Sequence, residues 1–142
     1  MTESELFLLD TNIIVYAYDK DEIEKSKKAE EMLAKCFLGE INLAISNQNL
    51  AEFVFATTRK SKLNFDQAMV NVRDIFNSKT FKKINYTSET VISAIAIAKE
   101  FKTSFWDSLL AATMKENGIF NIYTENAKDF KMPWINAVNP LI

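Results

Sequence analysis

The chain has 142 residues, 48% of them apolar and 25% charged, with a net charge of −2; that length and composition predict one folded domain burying about 70% of its unfolded-chain surface, and they exclude a disordered chain or one coated in basic residues for long nucleic acid. No histidine is present, which excludes Ser-His-Asp and Cys-His triads and histidine-ligated zinc, and a total of two glycines excludes a P-loop or a GxGxxG dinucleotide loop. No apolar run is long enough to span a membrane, and the N-terminus carries acids where a secretory signal would carry bases, so the expected location is the cytoplasm.

The first element is Leu6-Phe7-Leu8-Leu9, an apolar run without polar alternation that predicts a strand covered on both faces, as in a parallel sheet. It ends on Asp10, at the carboxyl end of the strand, the edge where open α/β sheets bind ligands. Residues 12–18 read as a short helix. A longer helix follows, with Ala29, Met32, Leu33, Cys36 and Phe37 on one face, stopped by Gly39. Cys36, the only cysteine, rules out an internal disulfide and reads as core. Residues 41–45 form the second predicted strand, with Ser46 and Asn47 as candidate caps for a helix over 48–60. The apolar residues of that helix go round all its sides, which predicts burial on most of them. After a link over 60–64, Phe65, Ala68, Met69, Val72 and Phe76 mark the inward face of the next helix.

A third strand is expected within 81–86. Ser88 can cap a helix with Val91, Ala94, Ile95, Ala98 and Phe101 inward, and Thr103-Ser104 restarts a helix that ends at Asn117-Gly118. Residues 119–124 read as the fourth strand, 125–133 as a loop or single turn, and 135–138 as a short last strand. Strands alternating with helices predict a mainly parallel sheet with helices on both faces and right-handed crossovers.

Most acids fall in mixed-charge runs typical of solvated helix faces, but three do not. Asp10 ends an apolar strand. Glu52 is the only charge between Leu43 and Thr58, and Asp107 the only one between Thr103 and Met114. Neither has a cation three or four residues away on its helix to neutralise it. Each has a plain alternative: Asp10 as a helix cap, Asp107 as part of the capping box Ser104-Phe105-Trp106-Asp107, and Glu52 on an open helix face. Taken together, a strand end and two early helical turns share the carboxyl edge of a parallel sheet. Converging carboxylates repel and call for a cation, and an all-oxygen set selects Mg²⁺ or Mn²⁺. Such sites serve phosphodiester hydrolysis.

These residues lie in motifs similar to those of a known family. Leu8-Leu9-Asp10-Thr11-Asn12, Ser46-Asn47-Gln48-Asn49-Leu50-Ala51-Glu52-Phe53, Ser104-Phe105-Trp106-Asp107-Ser108-Leu109-Leu110-Ala111-Ala112 and Ile122-Tyr123-Thr124-Glu125-Asn126-Ala127-Lys128-Asp129-Phe130, with Val138-Asn139-Pro140 at the end, resemble in order the PIN-domain ribonucleases, close to the VapC-type toxins of toxin–antitoxin pairs. The resemblance runs nearly end to end, as one PIN-like unit over 1–142. It implies a three-layer α/β/α sandwich with a central parallel sheet and a metal-dependent endoribonuclease activity on RNA. It also implies a cognate antitoxin protein and a homodimer.

By the same resemblance, Asp10 and Asp107 would contact Mg²⁺ or Mn²⁺, with Glu52 in the cluster directly or through water. Asn126 stands where many members carry aspartate. It offers an oxygen without charge, and Asp129 can stand in. Thr11, Asn12, Ser104 and Thr124 are candidate hydrogen-bonders behind the acids, with caps and turns as their plain alternative. Arg59, Lys60, Lys62, Arg73, Lys82 and Lys83 are candidate RNA contacts. Two other readings remain: a catalytically weak PIN domain acting as an RNA-binding or assembly module, favoured by Asn126, and a phosphatase with an aspartate nucleophile, for which Asp10-Thr11-Asn12 lacks the usual Asp-x-Asp form.

Overall fold

The computed structural model describes residues 6–60 and 62–142. Five strands, β1 (Phe7–Leu9), β2 (Leu43–Ser46), β3 (Phe81–Ile84), β4 (Asn121–Tyr123) and β5 (Asn136–Val138), form one sheet in the order β3-β2-β1-β4-β5. Every pairing is parallel, with Phe7 level with Leu43 on one side and Asn121 on the other. The helices are α1 (Thr11–Tyr16), α2 (Ile23–Phe37), α3 (Asn47–Arg59), α4 (Phe65–Asn77), α5 (Ser88–Phe101) and α6 (Phe105–Glu116). A single 3₁₀ turn, Ala127–Asp129, occupies the predicted loop after β4. The link expected over 60–64 includes Ser61, which lies outside the described residues.

Alternate residues of each strand feed opposite cores, which is why the strands read as unbroken apolar runs. Leu9, Leu43 and Ile45 pack with Ile13, Ala29, Leu33, Cys36 and Phe53 beneath the α1–α4 layer. Leu8, Ala44 and Ile122 pack with Leu110, Met114 and Ile119 of the other layer. Ala94, Leu109 and Ala112 then lock α5 onto α6. The result is the expected three-layer α/β/α sandwich. Among the described residues no helix is long and apolar enough to cross a membrane.

The expected buried faces of three helices need correction. The helix over 48–60 is not buried on most sides: Phe53 and Thr57 face the core, while Phe55 is 63% exposed. On α4 the buried residues are Ala68 and Ile75, and Phe65, Met69 and Phe76 stand in solvent. They line an open apolar groove with Leu50 and Val54 of α3. On α5, Ile95 is exposed, since α6 rather than the sheet covers the helix and needs a narrower stripe. In each case periodicity located an apolar face without saying whether a second element of this chain covers it.

Caps follow the sequence closely. Ser46 caps α3 in a reciprocal box with Asn49, and Ser104 caps α6 by accepting from the Asp107 amide. Thr87, not Ser88, caps α5. That helix closes on Lys102 at φ 51°, a left-handed conformation that costs a non-glycine residue about 1–2 kcal/mol.

Candidate active site

β1 is the central strand, and the chain leaves it and its neighbours at the same carboxyl edge. Asp10 follows β1, α3 starts directly on β2, and Thr124-Glu125-Asn126 follows β4. α6, packed across that edge, brings in Asp107 in its first turn. The crevice between them, about 380 Å³, is lined by Asp10, Thr11, Asn12, Glu52, Asp107 and Asn126 among others. Asp129 lies just beyond, in an adjoining cavity that also has Asp107 on its wall.

Asp10 keeps some surface at the crevice floor, but its carboxylate is enclosed by protein. Oδ1 accepts from the Thr11 amide (2.8 Å), which caps α1, and Oδ2 accepts from Thr124 Oγ1 (2.8 Å). Burial nevertheless pushes its pKa up, beyond what those two bonds pull down, and Asp107 and Asp129 add repulsion. The capping role weighed as an alternative for Asp10 is therefore real, and it leaves one carboxylate oxygen turned toward Thr124.

Glu52 is exposed along the crevice, as its plain alternative expected. Partial burial of its carboxyl still raises the pKa, with Asp10 the next cause and Asp107 a smaller one. Thr11 Oγ1 approaches its Oε1 at 3.4 Å. Asp107 is raised in the same way, by burial first and Asp129 last, with Ser104 pulling it down. Among the described residues the ion pairs are Lys25–Glu125 and Lys62–Asp19, so none of Asp10, Glu52, Asp107 and Asp129 is neutralised by a cation. Perturbed carboxylates gathered in one crevice mark a candidate functional site.

The hydroxyl and amide side chains form the frame. Thr124, fully buried, donates to Asp10 and accepts from the Asn126 amide (3.1 Å), joining β1 to the loop after β4. Asn12 Oδ1 accepts from the Glu125 amide (3.3 Å). Three further residues belong to this frame that sequence reading did not single out. Asn49, buried one turn before Glu52, donates from Nδ2 to Thr11 Oγ1 (3.0 Å) and so ties α3 to α1. Gln48 donates from Nε2 to the Trp106 carbonyl (3.1 Å), tying α3 to α6, and its buried Oε1 has no hydrogen-bond partner among the described residues. Glu125 is held by Tyr16 Oη (2.7 Å) and Lys25 Nζ (2.7 Å) at the crevice wall. The sequence signal for the first two was available: amides in the first turn of a helix that begins on a strand end.

The expected RNA-contacting bases divide. Lys60 and Lys62 line the crevice, Lys62 being paired with Asp19. Arg73 lies on the apolar groove of α4, and Lys83 is spent on the carbonyls of Ile75 and Ser78.

The donor set suits a hard divalent ion. Unpaired carboxylates and a neutral amide face the crevice, no histidine exists, and the one cysteine is buried in the core. The carboxylates ring the space rather than converging on one point: among the described residues no three lie close enough to chelate a single ion as their side chains stand.

The PIN domain family's sequence profile matches residues 7–132. No curated protein matches the chain. Solved structures with the same fold include a toxin–antitoxin complex from Klebsiella pneumoniae (22% identity, 94% of this chain and 97% of that one, TM-score 0.63). VapC20 of Mycobacterium tuberculosis, described as a sarcin-ricin loop cleaving toxin, is 20% identical over 87% of this chain and 91% of its own, with TM-score 0.66. VapBC2 from Rickettsia felis, bound to a DNA fragment from its promoter, is 22% identical over 94% and 98%, with TM-score 0.64.

Proposed function

The chain belongs to the PIN domain family, and on that premise we propose that it is a divalent-metal-dependent endoribonuclease, the toxin of a toxin–antitoxin pair. The observation that carries this reading is the set of carboxylates gathered at the carboxyl edge of the sheet, with raised pKa values and no cation among the described residues to pair with them. The toxins among the solved relatives support the biological half of the proposal.

Asp10 and Asp107 would hold Mg²⁺ or Mn²⁺, with Glu52 and the neutral oxygen of Asn126 completing the set. When bound, such an ion polarises a phosphoryl oxygen and makes water acidic enough to attack. The protein's own part is orientation and proton transfer. Thr124 and the Thr11 amide fix the Asp10 carboxylate, so that it does not have to be ordered when substrate arrives. Glu52, on the crevice wall close to Asp10, is placed to take the proton of the attacking water, with Asp129 as the alternative base beside Asp107. Water oxygen bonds to phosphorus, the bond to the 3′ oxygen breaks, that oxygen takes a proton from solvent, and the products carry 5′-phosphate and 3′-hydroxyl ends. Thr11, Asn12 and Ser104 would act behind the acids, as positioning residues.

The partners proposed with this activity are RNA, an antitoxin protein and a second copy of the chain. Incubating a structured RNA pool with the wild type, Asp10→Asn and Asp107→Asn, each with Mn²⁺ or EDTA, tests the reading. Cutting is expected only with metal and both aspartates. Cutting in EDTA, or by both variants, would overturn it, and 2′,3′-cyclic phosphate ends would exclude water as the nucleophile. The competing reading, a non-catalytic RNA-binding module, predicts metal binding without cleavage of any RNA.

A further inference from the structure

We propose that the cavity on the far side of Asp107 from the crevice is a phosphate subsite that grips the RNA strand next to the cleaved bond; this rests on the nuclease reading above. The cavity, about 260 Å³, has Lys102, Lys128 and Lys131 on its walls together with Thr103 and the acids Asp107 and Asp129. Asp107 lines both spaces, so the crevice and this cavity adjoin at that carboxylate.

The electrostatics require something of this kind. One divalent ion cannot neutralise four carboxylates, and the chain as a whole is negative, so an RNA backbone approaching the acids is repelled unless local cations receive it. On the crevice side Lys62 is already committed to Asp19, which leaves Lys60 as the one lysine there outside an ion pair among the described residues. On the other side three ammonium groups share a cavity with two carboxylates, yet none of the three is in an ion pair among the described residues. They are exposed, and so available to a ligand.

The cavity is also built rather than incidental. Its lysines come from two loops, the end of α5 and the segment after β4. Thr103 Oγ1 donates to the Asp129 carbonyl (3.2 Å) and holds those loops together. Lys102 occupies the left-handed helix-terminal position where glycine is unstrained, so the chain places a charged side chain at a site whose backbone favours having none. Lysine ammonium groups, as mobile point charges, suit the phosphates of a flexible single strand and carry no base specificity.

The test uses three proteins: the parent, the triple variant Lys102→Gln/Lys128→Gln/Lys131→Gln, and a control with the same charge change at exposed positions elsewhere, Lys27→Gln/Lys35→Gln/Lys79→Gln. With Asp10→Asn added to all three so that RNA stays intact, fluorescence anisotropy against a labelled single-stranded RNA is read across salt concentrations. Loss of three phosphate contacts should flatten the slope of log K against log salt by about 2, with no change in the control. With Asp10 restored, the cavity variant should show a KM raised about tenfold or more with kcat within about twofold. A parent that neither binds nor cuts RNA overturns the nuclease reading and this proposal with it. A parent that does both, alongside a cavity variant whose salt slope and KM are unchanged, overturns the subsite alone.

Discussion

Asp10→Asn should move stability and activity in opposite directions. In the metal-free protein the Asp10 carboxylate is enclosed, faces two other acids and receives two hydrogen bonds. Enclosing a charge costs several kcal/mol, and hydrogen bonds to a charged group return about 1.5–3 kcal/mol each. The raised pKa says that the cost exceeds the return. Asparagine keeps the cap of α1, for which it is as good as aspartate, and removes the charge. Its amide must then face Thr124 Oγ1, which has to turn and accept, and this reduces the gain. The net change at neutral pH is a stabilisation on the order of 1 kcal/mol. For a chain of this size it corresponds to a melting temperature higher by about 2–5 °C. The same substitution removes a carboxylate from the set proposed to hold the metal, and cleavage should fall by about 10²–10³-fold or more. Calorimetry in EDTA reads the first effect and RNA cleavage in Mn²⁺ the second. A variant that melts below the wild type in EDTA would refute the claim that this carboxylate is held against an electrostatic gradient.

Asp10, Glu52 and Asp107 all have raised pKa values, so in the folded protein they bind protons more readily than in the unfolded chain. The stability they contribute is full below the ordinary carboxylate values and is lost as pH rises through the raised ones. The metal-free protein should accordingly melt higher at about pH 5 than at about pH 7.5, and saturating Mn²⁺ should erase or reverse that order. Asp19 and Glu125, with lowered values, give up stability only at more acid pH and do not compete in this window. Thr124→Val removes a hydrogen bond to the charged form of Asp10, and should destabilise the protein by about 2 kcal/mol and move the acid limb of the cleavage profile to higher pH, with Thr124→Ser restoring both. Lys102→Gly relieves the left-handed strain and should raise stability by about 1 kcal/mol in a denaturant titration while weakening RNA binding. Unchanged stability in that variant would mean that the backbone conformation carries no cost.

The sheet and the site's acids were legible because both leave local signals. A strand buried on two faces cannot alternate, and an acid without a neighbouring cation on an apolar element stands out from the mixed-charge runs. Asp10, Glu52 and Asp107 were found in that way, and the structure places all three on one crevice. What the sequence did not give up depends on distance in space. Whether the apolar stripe of α4 is core or surface turns on whether another element covers it, and Phe65, Met69 and Phe76 have the same spacing in either case. The bridging roles of Asn49 and Gln48 depend on partners 38 and 58 residues away. The lysines beside Asp107 were missed for a different reason. The expected bases lie on α3, α4, the link between them and β3, whereas Lys102, Lys128 and Lys131 lie in loops close to the third and fourth motifs and face the acids only once those loops are joined.

Without metal, the carboxylates repel one another across a crevice held open by a rigid frame: Thr124 joins β1 to the loop after β4, Asn49 joins α3 to α1, and Gln48 joins α3 to α6. That frame holds the acids in the crevice, so the cost of burying their charge, with a smaller share of mutual repulsion, falls on the fold and would be offset by a bound cation. On the proposed metal-dependent reading, the free energy of metal binding and the cost of holding these acids without a cation are two readings of one interaction. Weakening the frame should lower both together: a variant such as Asn49→Ala, which cuts the tie between α3 and α1, should bind Mn²⁺ more weakly and also show a smaller rise in melting temperature on acidification, although its carboxylates are all intact. If Asn49→Ala loses metal affinity while keeping the full pH response, the frame positions the ligands but does not hold them against repulsion.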